Sequence, residues 1–157
     1  MLDLILSHDQ IYSKWLEMGG GLENALILTK QQLKGFEKIV SSDTGWKSLL
    51  EIAARGRTQD AWLAADWPSG FDELVLCVPL CKLVDWECAK CTIGSRQSDF
   101  SCANDNSLFG LIGTFVERQE RQALLEHLKK IELMLEDKNY FWDISGVDLI
   151  TIPVNKK

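Results

Sequence analysis

"FWDISGVDLITIPV", residues 141–154, decides the fold class. Its β-branched and aromatic residues fall on either side of Ser145-Gly146, a pattern that reads as two strands about a turn. An earlier stretch, "ELVLCVPL" at 73–80, is apolar, partly β-branched and bounded by turn residues. It reads as a buried strand, with Pro79 marking its end or an edge because proline donates no ladder hydrogen bond. With both stretches extended, the chain is α+β: a helical N-terminal half, a few strands after residue 71, a long C-terminal helix and a terminal β-hairpin. The alternative is all-α, which requires 73–80 and the final segment to be helix and coil.

The segment "NDNSLFGLIGTFVERQERQALLEHLKKIELMLED", residues 104–137, separates these stretches and is helical in pattern. Asn104, Asp105 and Asn106 are placed to cap it. At 100° per residue, Leu108, Leu111, Ile112 and Phe115 share one face. Leu124, Leu128, Ile131 and Leu135 share nearly the opposite one. A straight helix cannot bury both on one side, so it either breaks near Gln119 or packs between two layers. Gly110 and Gly113 each cost about 1 kcal/mol relative to Ala, which close packing can offset.

The N-terminal half carries helix signals. In "SHDQIYSKWLEMGGG", residues 7–21, Ser7 and Gln10 form a capping box. Ile11, Tyr12, Trp15 and Leu16 make an apolar face, and Gly19 stops the helix. Before it, "LDLIL" is a short strand or an apolar extension. Thr29 and Gln32 form a second box ahead of a face of Leu33, Phe36, Ile39 and Val40. Asp43 or Thr44 opens a third helix with Trp46, Leu49, Leu50 and Ala53 inward and Gly56 at its end. A fourth runs from Thr58 to about Asp66. "MGGGLENAL", residues 18–26, lacks the Lys-Ser/Thr of a phosphate loop and the full dinucleotide fingerprint, and reads as a flexible connector.

The chain of 157 residues is the size of a single domain. It is long enough to fold without a disulfide or metal. Seventeen Lys and Arg against 23 Asp and Glu give a net charge of −6. That balance argues against direct nucleic-acid binding, which neutralises phosphates with cations, and against docking on anionic lipid. It favours a basic protein partner. The opening "MLDLILSHDQIY" has no basic region and only a short apolar run, and no stretch approaches the ~20 apolar residues of a membrane span. The expectation is a cytoplasmic protein with reduced thiols. Five cysteines also leave one over in any fully paired framework.

Three of those cysteines lie in "WECAKCTIGSRQSDFSC", residues 86–102. Cys88 and Cys91 have the spacing at which two thiolates on one tight turn reach a single zinc ion. Cys102, with Cys81 or Cys77, would have to complete the set. The redox reading is weaker, because Thr92-Ile93-Gly94 continues a helix poorly and Asp85 and Glu87 oppose a thiolate. Reduced thiols in a structured loop is the simpler reading, with zinc the alternative cofactor. Ser7-His8-Asp9 names the residues of a catalytic triad, but three consecutive residues diverge on a helix turn. Arg118, Arg121, Lys129 and Lys130 alternate with Glu117, Glu120 and Glu126, as on a solvated helix face. Nothing in the sequence marks an enzyme.

The most distinctive feature is acidic and aromatic. Residues 58–87 hold Asp60, Asp66, Asp72, Glu73, Asp85 and Glu87 against Lys82 alone, a local net of −5. Trp62, Trp67, Phe71 and Trp86 are interleaved. Aromatics supply buried anchors at interfaces, and carboxylates pair with basic groups. These carboxylates and tryptophans are the expected partner-binding residues. In overall character the chain resembles bacterial immunity proteins of contact-dependent growth inhibition and other polymorphic toxin systems. The resemblance rests on small size, acidity, aromatic content and lack of catalytic signature, not on a motif. It implies a toxin inhibitor acting by protein–protein interaction, which occludes the active site of one cognate toxin domain, typically a nuclease. It transfers no residue roles.

Overall fold

The protein is described by a computed structural model covering residues 4–6, 8–54, 78–85, 87–98 and 106–151. The described residues form six helices and one small antiparallel sheet: α1 (His8–Glu17), α2 (Gly21–Ser41), α3 (Asp43–Ala54), α4 (Val78–Leu83), α5 (Gly110–Glu117), α6 (Arg121–Glu136), β1 (Tyr140–Asp143) and β2 (Asp148–Thr151). The expected α+β class holds, with helices dominant and the sheet near the C-terminus.

Helix α2 is the central element and packs against α1, α3, α4 and α6. Its expected face of Leu33, Phe36, Ile39 and Val40 is fully buried. The helix begins eight residues before Thr29, however, so Thr29 is no cap. Its hydroxyl is satisfied within the helix by donating to the Ala25 carbonyl at 2.8 Å. Gln32, the expected capping partner, instead holds the N-terminal segment: its amide accepts from Leu6 N–H (2.8 Å) and donates to Leu6 C=O (3.0 Å). A Cβ at Gly35 would stand 2.2 Å from the Leu4 carbonyl oxygen, so only glycine lets that segment lie so close to α2. In α1, Ile11 and Trp15 are buried as expected, but Leu16 is exposed.

The C-terminal helical pattern breaks at the expected place. Gln119 adopts φ 58°. Its N–H bonds to Val116 C=O at 3.0 Å, and Glu120 N–H reaches Phe115 C=O at 2.9 Å. This is the 5→2 and 6→1 bonding of a Schellman stop. The break lets α5 bury Leu111 and Ile112 while α6 buries Leu124, Leu128, Ile131 and Leu135, which reconciles the two opposed apolar stripes. Left-handed geometry costs a non-glycine residue about 1 kcal/mol. Gln119→Gly is therefore expected to raise stability by roughly 0.5–1 kcal/mol, read from the midpoint of urea unfolding.

Two local expectations are corrected. Within the 73–80 run, Val78–Leu83 is a helix rather than the end of a strand; residues 73–77 lie outside the described set. Pro79 sits in its first turn, where a missing N–H leaves no helical bond unmade, so proline marks a helix start here. Asn106 does not cap α5. That helix begins at Gly110 with Phe109 at the N-cap position and no side-chain cap. Asn104 and Asp105, like the helix expected from Thr58 to Asp66, lie outside the described residues.

The terminal hairpin is present. Tyr140 pairs with Thr151, Phe141 with Ile150, Trp142 with Leu149 and Asp143 with Asp148, about the turn 144–147. Trp142 is buried, and Gln97 forms a parallel bridge beside it, which ties the hairpin to the loop after the cysteines. Among the described residues, no helix is long and apolar enough to cross a membrane.

Candidate interaction surface and the cysteine turn

Helix α4 ends in a tight turn. Asp85 N–H bonds to Lys82 C=O at 3.2 Å and Glu87 N–H to Val84 C=O at 3.1 Å. Asp85 takes φ 53°, a conformation Asp tolerates better than most residues. Both Asp85 and Glu87 are exposed. Glu87 pairs with Lys90 at 2.6 Å, an open ion pair worth little energetically. Lys82, the one cation of the acidic stretch, lies 5.2 Å from the centre of the Tyr12 ring and links α4 to α1. Of the expected partner-binding residues, only Asp85 and Glu87 are described. Asp60, Trp62, Asp66, Trp67, Asp72, Glu73 and Trp86 lie outside the described residues.

The cysteine stretch folds as two 3₁₀ turns, Cys88–Lys90 and Gly94–Arg96. Cys88 is half-buried and Cys91 buried. Burial pushes the Cys91 thiol above its ordinary pKa, although backbone N–H groups of Gly94 and Ile93 oppose the shift. Ile93 N–H donates to its Sγ at 3.5 Å. Cys81, on α4, is half-buried, and Cys81, Cys88 and Cys91 form no disulfide among the described residues. Among the described residues, no group of three His, Cys, Asp or Glu is arranged to hold a metal ion; Cys77 and Cys102 lie outside them. A buried thiol with a raised pKa is a poor nucleophile. Cys91 should therefore alkylate at least about tenfold more slowly than Cys88 in the folded protein. Peptide mapping after timed iodoacetamide treatment measures the ratio, and urea should abolish it.

The cysteine turn is held by Arg96. Its Nε donates to Thr92 C=O at 2.8 Å and its Nη1 to Asp137 C=O at 2.8 Å and Tyr140 C=O at 3.3 Å. Nη2 donates to Met134 C=O. One guanidinium thus satisfies carbonyls at the end of α6 and the start of β1, where the negative end of the helix dipole favours a cation. Arg121 does the same for α2. It donates to Val40 C=O and Ser41 C=O, both at 2.6 Å, and pairs with Asp43 at 2.9 Å. Arg121 is therefore no mere solvated cation.

Behind this lies a buried polar cluster. His127 on α6 bonds through Nε2 to the Leu108 carbonyl. A carbonyl only accepts, so Nε2 carries the proton. Its ring lies edge-on to Phe115 and Trp142, with centroids 5.6 and 5.2 Å away. Gln97 Oε1 accepts from Leu108 N–H at 2.8 Å, and Trp142 Nε1 donates to Asn106 C=O at 2.8 Å. Three side chains from three elements thus satisfy the 106–108 turn, which leads into the helix that Asn106 was expected to cap. Burial drives the His127 pKa down to about 4; the Leu108 carbonyl opposes this and Lys130 adds to it. The imidazole is neutral and 3% exposed, which suits a structural donor. Its position, three residues after Leu124 and four before Ile131, places it on the apolar face of α6, a signal readable by periodicity.

In comparisons with known proteins, no family model matches the chain, and no characterised protein and no solved structure matches it significantly.

Proposed function

We propose that this protein is an acidic protein-binding inhibitor, an immunity protein that neutralises a cognate nuclease toxin by covering its active site. The observation that supports the reading best is the turn after α4. It leaves Asp85 and Glu87 exposed on either side of position 86, at the end of the stretch with a net charge of −5. A nuclease cleft is basic because it binds phosphates. Carboxylates on a folded surface can occupy the same cationic groups, and steering between opposite charges speeds the encounter. Aromatic anchors in the same stretch would supply the desolvated centre of the interface.

The test is co-expression with the variable C-terminal domain of a large secreted protein encoded immediately upstream. Restored growth and a one-to-one complex on gel filtration are expected. Unrelieved toxicity with no complex would contradict the proposal, as would a neighbourhood of metabolic genes only.

A further inference from the structure

Cys88 and Cys91 stand at the two ends of one hydrogen-bonded turn. Cys91 N–H donates to Cys88 C=O at 3.1 Å. The end residues of such a turn hold their Cα atoms within about 7 Å, and a disulfide spans about 4.4–6.8 Å between Cα atoms. The backbone is thus already in range for a bond between the two sulfurs. The side chains also converge on one residue, Gly94. A Cβ there would stand 3.0 Å from Cys88 Cβ and 2.3 Å from the Cys88 carbonyl oxygen, so the Gly94 backbone lies directly against Cys88. The N–H of the same glycine, with that of Ile93, faces the Cys91 sulfur. A larger residue at 94 would wedge this contact apart.

The two thiols differ as an attacking and a resolving thiol must. Cys88 is half-buried, whereas Cys91 is only 5% exposed. The turn is 3₁₀ and three residues long, too short for the helix dipole that activates a thioredoxin-type thiol. The pair therefore suits slow, reversible exchange rather than catalysis. We infer that Cys88 and Cys91 form a reversible disulfide by exchange with a small-molecule disulfide such as oxidised glutathione. The Cys88 thiolate attacks one sulfur of that disulfide, forming a mixed disulfide and expelling one glutathione thiolate. Cys91 loses its proton to water and attacks the Cys88 sulfur, which breaks the mixed disulfide and expels the second glutathione thiolate. The protein pair is oxidised by two electrons, and both glutathione molecules leave reduced, taking up the two thiol protons through water. This site goes beyond the inhibitor reading and does not depend on it.

The test treats the reduced, folded full-length chain with excess oxidised glutathione, blocks remaining thiols with N-ethylmaleimide and digests with trypsin, which cuts at Lys90 between the two cysteines. Mass spectrometry should find residues 83–90 joined to residues 91–96 by one disulfide, and dithiothreitol should release them. In Cys91→Ala, Cys88 should instead keep one glutathione, because the step that expels it is lost. Burial raises the Cys91 pKa and nearby Cys81 adds to the rise, which makes Cys81 the competing partner. Linkage of either cysteine to Cys77, Cys81 or Cys102 would overturn the inference. So would a Cys88–Cys91 link that forms only in urea, or no link at all. The wild-type map decides the matter should the variant fold poorly, and toxin co-expression decides the inhibitor reading separately.

Discussion

Acidification from pH 7 to pH 4 is expected to remove about 3 kcal/mol of folding stability through His127 alone. In the folded chain its pKa is held down to about 4, against an ordinary 6.5. Between those values the unfolded chain binds a proton that the folded chain refuses. Stability therefore rises with pH through this window and falls as pH drops from 6.5 toward 4. The contribution is fully present above the ordinary value. Carboxylates titrate at the lower end, so the clean interval is pH 7 to 5.5, where His127 accounts for about 1 kcal/mol. Urea unfolding at these two pH values measures it. His127→Gln keeps an N–H donor for Leu108 and removes the titration. It should be less stable than wild type at pH 7, because the contacts with Phe115 and Trp142 shrink, yet nearly flat between pH 7 and 5.5. A variant with the wild-type slope would assign the acid sensitivity elsewhere.

Arg96→Ala should cost about 3–5 kcal/mol. Its guanidinium serves Thr92, Met134, Asp137 and Tyr140 carbonyls together. A hydrogen bond from a charged donor contributes about 1.5–3 kcal/mol, and bonds sharing one donor group add less than singly. Arg96→Lys keeps the charge but not the planar fork, so about half the loss should remain. Thermal unfolding gives the total. Amide exchange localises it: protection should fall first at 134–143, where α6 meets the hairpin, and little in α2. A uniform loss of protection would mean that Arg96 does not act on that junction.

What was legible in the sequence depended on side chains that meet other side chains. The terminal hairpin followed from β-branched residues about Ser145-Gly146. The core face of α2 followed from the spacing of Leu33, Phe36, Ile39 and Val40. The stop at Gln119 followed from two apolar stripes that one straight helix could not bury, although glutamine itself gave no sign of a left-handed turn. What was missed depended on backbone. Arg96 and Arg121 look like ordinary surface cations because their partners are helix-end carbonyls, which carry no residue identity. Thr29 and Gln32 read as a capping box because their bonds to Ala25 and Leu6 depend on where α2 begins. Val78–Leu83 read as strand because a short apolar run with proline suits a strand end as well as a helix start. Of the candidate interaction residues, acidity alone made the exposed Asp85 and Glu87 readable, and the stretch at 18–26 that reads as a flexible connector is instead a Schellman stop at Gly19 and Gly20 followed by the first turns of α2.

The proposed inhibitor stands or falls most directly on the association rate with the cognate toxin domain at low salt, compared between wild type and Asp60→Lys/Asp66→Lys/Glu73→Lys. These changes move the net charge of residues 58–87 from −5 to +1, since each reversal adds two charges to the starting value. Circular dichroism checks that the variant is folded before the rates are compared. Steering depends on the summed field of the surface. Stopped-flow measurement should show association slowed by at least about tenfold, with the difference shrinking as salt is added. A folded triple variant that associates at the wild-type rate in low salt would contradict the assignment of binding to this acidic stretch.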